Sequence, residues 1–167
     1  MILAVCPLNR LDAHLAAHAP SHVVSLLSPA AEPPDVSNAE RLHLAFHDIA
    51  EPREGLIAPH EAMIDSLLAF ADGWDGDRPL LLHCYAGVSR STAAAFVLAC
   101  RLAPHRDEAD LARALRTLSP SATPNPLMVA LADAALKRQG RMISAIAAIG
   151  RGAEAFEGEA FAWDLSQ

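Results

Sequence analysis

The stretch PLLLHCYAGVSRSTAAAF, residues 79–96, sets a cysteine and an arginine six positions apart between two apolar runs. If the first run is a strand and the second a helix, the residues between them form a tight turn. Successive backbone N–H groups of Tyr85, Ala86, Gly87, Val88, Ser89 and Arg90 can then turn inward to one point, a concavity suited to an anion. Gly87 relieves the steric limit where the chain curls. The helix opening near Arg90 aims its positive end at the same point. Both effects favour a thiolate at Cys84. Arg90 can fork onto two oxygens of a tetrahedral oxyanion. A sulfur nucleophile at the floor and a planar cation at the wall are what phosphoryl transfer through a cysteine requires. Taken singly, such residues are usually a small core hydrophobe and a surface cation. Strand, spacing, glycine and helix together favour the chemical reading.

HCYAGVSRST also resembles the His-Cys-x5-Arg-Ser/Thr signature of the protein tyrosine and dual-specificity phosphatase superfamily. The likeness covers roughly residues 22–138 and leaves both ends unexplained. It implies a dual-specificity-phosphatase-like fold and a phosphocysteine intermediate, in which Cys84 attacks phosphorus and Arg90 holds the equatorial oxygens. Ser91 would assist release of the thiolate when water hydrolyses that intermediate. His83 would orient the cysteine through hydrogen bonding. The segment SPSATPNP with LMVALADAAL is similar, more weakly, to the region after the active-site helix in compact bacterial members. Family members acting on phosphoinositides or inositol phosphates often carry lysine in the turn. Tyr85, Ala86, Val88 and Ser89 are not basic, which favours a singly phosphorylated substrate, phosphotyrosine first and phosphoserine/threonine or a small phosphoester next. Two other classes stay in view. A rhodanese-like sulfurtransferase also cradles a cysteine, and a phosphoprotein-binding module would keep the cradle without turnover.

A leaving alcohol or phenol needs a proton, so an acid is expected near another strand end. Asp48, 36 residues before Cys84 in LHLAFHDIAEPREG, is the leading candidate, matching the movable upstream loop that carries the family's acid. Glu51, further into the same loop, is its rival. Asp75 and Asp77 precede the cysteine strand too closely and read as turn residues.

The elements that must position these groups are short. ILAVC (2–6), HVVSLL (22–27), LHLAF (42–46) and PLLLH (79–83) are apolar runs of the kind found in strands buried on both faces. Helical patterns lie between and after them: 8–18, 59–74 with Pro59 at its first position, 89–103, 107–118 opened by Asp107, 125–138 capped by Asn125, and 141–149. The expected fold is therefore α/β: a largely parallel central sheet of about four to five strands, with helices on both faces. Ligands of such sheets sit beyond the carboxyl ends of the strands, where Cys84 falls. Residues 1–167 read as a single domain, with about 151–167 a loosely packed tail.

The net charge of −7 argues against nucleic acid or an anionic membrane as partner, leaving a phosphorylated protein or small phosphoester acted on by a monomer. Twelve of the thirteen basic residues are arginine, Lys137 being the exception. The scattered Cys6, Cys84 and Cys100 suggest no disulfide framework, and MILAVCPLNR lacks a signal peptide's basic start. A cytoplasmic setting is the expectation. The eight histidines show no zinc-like spacing, and the chemistry needs no metal or other cofactor.

Overall fold

The computed structural model describes residues 1–166. Its strands are β1 (Ile2–Pro7), β2 (His22–Leu27), β3 (Glu40–Ala45), β4 (Leu80–Cys84) and β5 (Phe161–Asp164), joined in one sheet of order β3-β2-β4-β1-β5. The first four run parallel, and β5 lies antiparallel to β1. The helices are α1 (Leu11–His18), entered through a 3-10 turn at Leu8–Arg10, then α2 (Glu61–Asp72), α3 (Arg90–Leu102), α4 (Glu108–Leu118), α5 (Pro126–Ala135) and α6 (Arg141–Ile149).

β4 sits at the centre because all five of its residues are buried, which only a strand covered on both faces permits. Its period-two alternation divides the core. Leu80, Leu82 and Cys84 join Leu3, Val5, Val24 and Leu26 under the helices from α2 onward. Leu81 turns to the opposite face with Ala4, Cys6 and Val23, covered by Leu11 of α1 and by Val36. The two layers are unequal: among the described residues α1 is the one α-helix on its face.

α3 runs through the larger layer, buried from Arg90 to Cys100. Ala93, Ala94, Ala95 and Ala99 let it approach β4 and β1 closely, while Phe96 fills the space between. A helix hydrophobic on every side belongs in a core. Asp107 caps α4 by accepting from the amides of Ala109 and Asp110, and Asn125 caps α5 by accepting from Met128, with Pro126 just inside. α2 departs from expectation: it begins at Glu61 with His60 as its cap, so Pro59 lies outside the helix.

The tail is packed against the sheet at residues 161–165, while Phe156 before it is exposed. Phe161, Trp163 and Leu165 are buried, and β5 covers the otherwise open edge of β1. Covering an edge removes a template for unwanted pairing. The apolar alternation Phe161-Ala162-Trp163-Asp164-Leu165 carried that signal, obscured by the Gly- and Glu-rich residues before it.

Candidate active site

The four parallel strands all deliver their carboxyl ends to one place. Pro7 of β1 and Leu26 of β2 are the register partners of Cys84 on either side. From there, residues 85–89 curl into the amino end of α3. Gly87 takes φ +70°, and a Cβ at this position would stand 2.9 Å from the Pro7 nitrogen, so conformation and space both demand glycine.

The curl is held from outside through its carbonyls. Tyr85 O accepts from Leu8 N (3.1 Å), Ala86 O from Gly158 N (2.8 Å), and Val88 O from Thr123 N (2.9 Å) and from Thr92 Oγ1. Ser89 O accepts from Ala93 N, Thr92 Oγ1 and, at 3.4 Å, Asn125 N. With the carbonyls bound outward, the amides are left for the concavity. Gly87 N donates to Cys84 Sγ at 3.2 Å, and the amides of Tyr85, Ala86, Val88 and Ser89 have no acceptor among the described residues. Such an array is an anion nest.

Cys84 is 2 % exposed, with its sulfur 3.1 Å from the Ser91 hydroxyl. Arg90 is 6 % exposed and forms no ion pair among the described residues. Its Nη1 donates to Phe46 O (3.1 Å) and Ser28 Oγ (3.4 Å), and the guanidinium lies 5.9 Å from the Phe46 ring centroid. Its Nε is buried without an acceptor. A buried cation that lacks a carboxylate is costly alone and is stabilised by an incoming anion.

Asp48 reaches the rim of the cradle. Its Oδ1 accepts from Ser89 Oγ (2.8 Å) and Asn125 Nδ2 (2.8 Å), leaving Oδ2 free among the described residues. Glu51 is exposed and makes no hydrogen bond or ion pair among them. Asp77 N bonds to Asp75 Oδ1, the turn expected there.

His83 is placed differently from expectation. Its Nε2 pairs with Ser25 Oγ (2.7 Å) on β2, not with Cys84, and its Nδ1 is buried without a partner. As the neighbour of Cys84 along β4, it points to the opposite face of the sheet. Burial, reinforced by His43, depresses its pKa to about 4, so the ring is neutral at pH 7. Cys6, register partner of His83, shares that far face. Burial, with Cys84 adding to it, pushes the Cys6 thiol up to about 12. Burial likewise raises Cys100 to about 12.

Several contributors to the site carry no signal in the sequence. Phe46 and Ser28 aim Arg90, and Thr92, Thr123 and Gly158 brace the cradle. Asn125 does more than cap: it also fixes Asp48 and donates to Ile49 O. An asparagine ahead of proline signals only the cap.

An open cleft of about 310 Å³ adjoins the cradle, lined by Asp48, Ser89, Asn125 and, from the tail, Arg151 and Glu154. No helix among the described residues is long and apolar enough to cross a membrane.

No protein-family model and no curated protein matches the sequence. Solved structures do. The Yvh1 phosphatase domain from Chaetomium thermophilum superposes with a TM-score of 0.63 at 16% identity, over 83% of this chain and 92% of that one. DUSP15 gives 0.62 at 16% identity, covering 87% and 88%. A human tyrosine phosphatase-like serine/threonine/tyrosine-interacting protein gives 0.58 at 17% identity, covering 80% and 87%. The fold is that of the dual-specificity and tyrosine phosphatases.

Proposed function

We propose that this chain is a cysteine-dependent phosphatase of that superfamily, hydrolysing phosphotyrosine, and also phosphoserine/threonine where the cleft admits it. The carrying observation is Arg90, a buried guanidinium with no carboxylate partner among the described residues, set at the mouth of an amide nest around the Cys84 sulfur. Such a site is complementary to a dianionic phosphate and to the charge that develops on its oxygens during transfer.

In this reading the Cys84 thiolate attacks phosphorus as the P–O bond to the leaving group breaks. Asp48 gives its proton to the departing oxygen. Water then attacks phosphorus, Asp48 takes up the proton, the S–P bond breaks, and inorganic phosphate leaves. The Ser91 hydroxyl, already 3.1 Å from sulfur, donates to the thiolate as it reforms. The amides of residues 85–89 and the Nε edge of Arg90 hold the transferring oxygens. His83, turned away, supports β4 through Ser25 and takes no proton in the reaction.

Asp48 is preferred over Glu51 because Ser89 and Asn125 tie it to the cradle. That same pairing disfavours a sulfurtransferase, which has no leaving oxygen to protonate. A binding module is the second reading, since one protein of this fold is described as phosphatase-like and interacting. The test is hydrolysis of an aryl phosphate with chelator present. Wild type is expected to turn over and Cys84→Ser to be inactive while still binding vanadate. Turnover of thiosulfate with cyanide, but not of aryl phosphate, would overturn the assignment, as would binding without turnover. The protein is expected to act as a cytoplasmic monomer.

A further inference from the structure

The tail returns past the cradle before it becomes β5, and its path is fixed. Arg116 donates from Nη2 to Gly150 O (2.9 Å) and from Nη1 to Arg151 O (3.1 Å). Gly152 N bonds to Thr123 Oγ1 (3.1 Å), Ala153 N to Pro120 O (2.8 Å), and Gly158 N to the cradle at Ala86 O (2.8 Å). The approach at Gly152 is close: a Cβ there would fall 2.5 Å from the backbone carbon of Ser121. Arg151 is thus carried on a pinned backbone into the wall of the cleft that Asp48, Ser89 and Asn125 share.

Its guanidinium is exposed and forms no hydrogen bond or ion pair among the described residues. Two carboxylates line the same cleft. Asp48 is held by Ser89 and Asn125, and Glu154 is not paired with Arg151. Arg151 is the only basic residue in that lining among the described residues, and the turn 85–89 contains none. A free fork on a pinned backbone beside the catalytic cradle can take a planar or tetrahedral anion.

We propose that Arg151 is a specificity-determining residue that binds a second anionic group of the substrate, one lying next to the phosphorylated residue. This rests on the hydrolase reading above and extends it to the substrate's flank. Side-chain carboxylate and second phosphate share the required chemistry.

The experiment compares phosphotyrosyl peptides of equal length with a neutral, a glutamate or a second phosphotyrosine neighbour. The enzymes are wild type, Arg151→Gln and, as a charge-matched control, Lys137→Gln. Wild type and Lys137→Gln are expected to favour one or both anionic peptides by about fivefold in kcat/KM, the scale of a well-placed exposed ion pair. In Arg151→Gln the ratio falls to about one. Which anionic peptide carries the preference identifies the source, and raised salt should weaken it. No preference in wild type, or a preference that survives in Arg151→Gln, overturns the proposal. Binding of the same peptides to Cys84→Ser and to Cys84→Ser with Arg151→Gln, by calorimetry, decides it separately from turnover. If no peptide is hydrolysed, the hydrolase reading fails, and calorimetry still gives the answer for Arg151.

Discussion

At the scale of single residues, two neighbours on β4 have opposite fates. Cys84 faces the anion nest, and His83 is buried behind it with one ring nitrogen unsatisfied. Its folded pKa of about 4 lies below the ordinary value of 6.5, so the unfolded chain binds the proton more readily. The resulting stabilisation is complete above pH 6.5 and is lost as pH falls toward 4, amounting to about 3 kcal/mol across that window. Denaturant melts between pH 7 and 4 should show this slope, and His83→Gln should flatten it. An unchanged slope in the variant would place the acid sensitivity elsewhere. Asp48 makes a different prediction. A poor leaving group such as an alkyl phosphate needs a proton, so Asp48→Asn should slow it by about 10²–10⁴-fold and an activated aryl phosphate much less. If Glu51→Gln shows that leaving-group dependence instead, the acid is Glu51.

At the scale of elements, the cradle depends on segments far away in sequence. Gly158 lies 71 positions from Gly87, yet a Cβ on Gly158 would stand 2.6 Å from the Gly87 carbonyl oxygen. Gly158→Val should therefore displace cradle or tail and lower kcat/KM by about 10²-fold, the usual cost of a 1 Å misplacement. Gly73→Ala, whose Cβ would meet nothing closer than 3.6 Å, should leave activity intact. β5 is anchored by Trp163, 3 % exposed, and Trp163→Ala should cost about 3–5 kcal/mol in denaturant unfolding. A loss below about 1 kcal/mol would mean that the strand contributes little. The other elements were legible because their signals are local. Continuous apolar runs marked β1, β2 and β4, and Asp107 and Asn125 marked the starts of α4 and α5. β5 and the bracing of the cradle were not legible. The short alternation of β5 is obscured by the Gly- and Glu-rich residues before it, and a bond from Asn125 to Asp48 crosses 77 positions without leaving a pattern. The motif named Cys84 and Arg90, but only the fold shows Phe46 and Ser28 turning Arg90's Nη1 aside.

At the scale of the molecule, the sheet works as a frame whose parallel strands end at one site. β1 leads into Leu8, which holds the cradle, β2 into Ser28 and β3 into Phe46, which hold Arg90, and β4 ends on Cys84. The chain is acidic overall at −7, so the buried cation beside Cys84 is a local exception to its surroundings. In the proposed mechanism Cys84 becomes phosphorylated. Mixing the protein with an aryl phosphate, quenching in acid and mapping the peptides by mass spectrometry tests it most directly. One added phosphoryl group is expected on the peptide containing Cys84, formed during turnover and absent from Cys84→Ser, which is inactive. Steady turnover with no phosphoryl group on Cys84, and with Cys84→Ser still active, would contradict it.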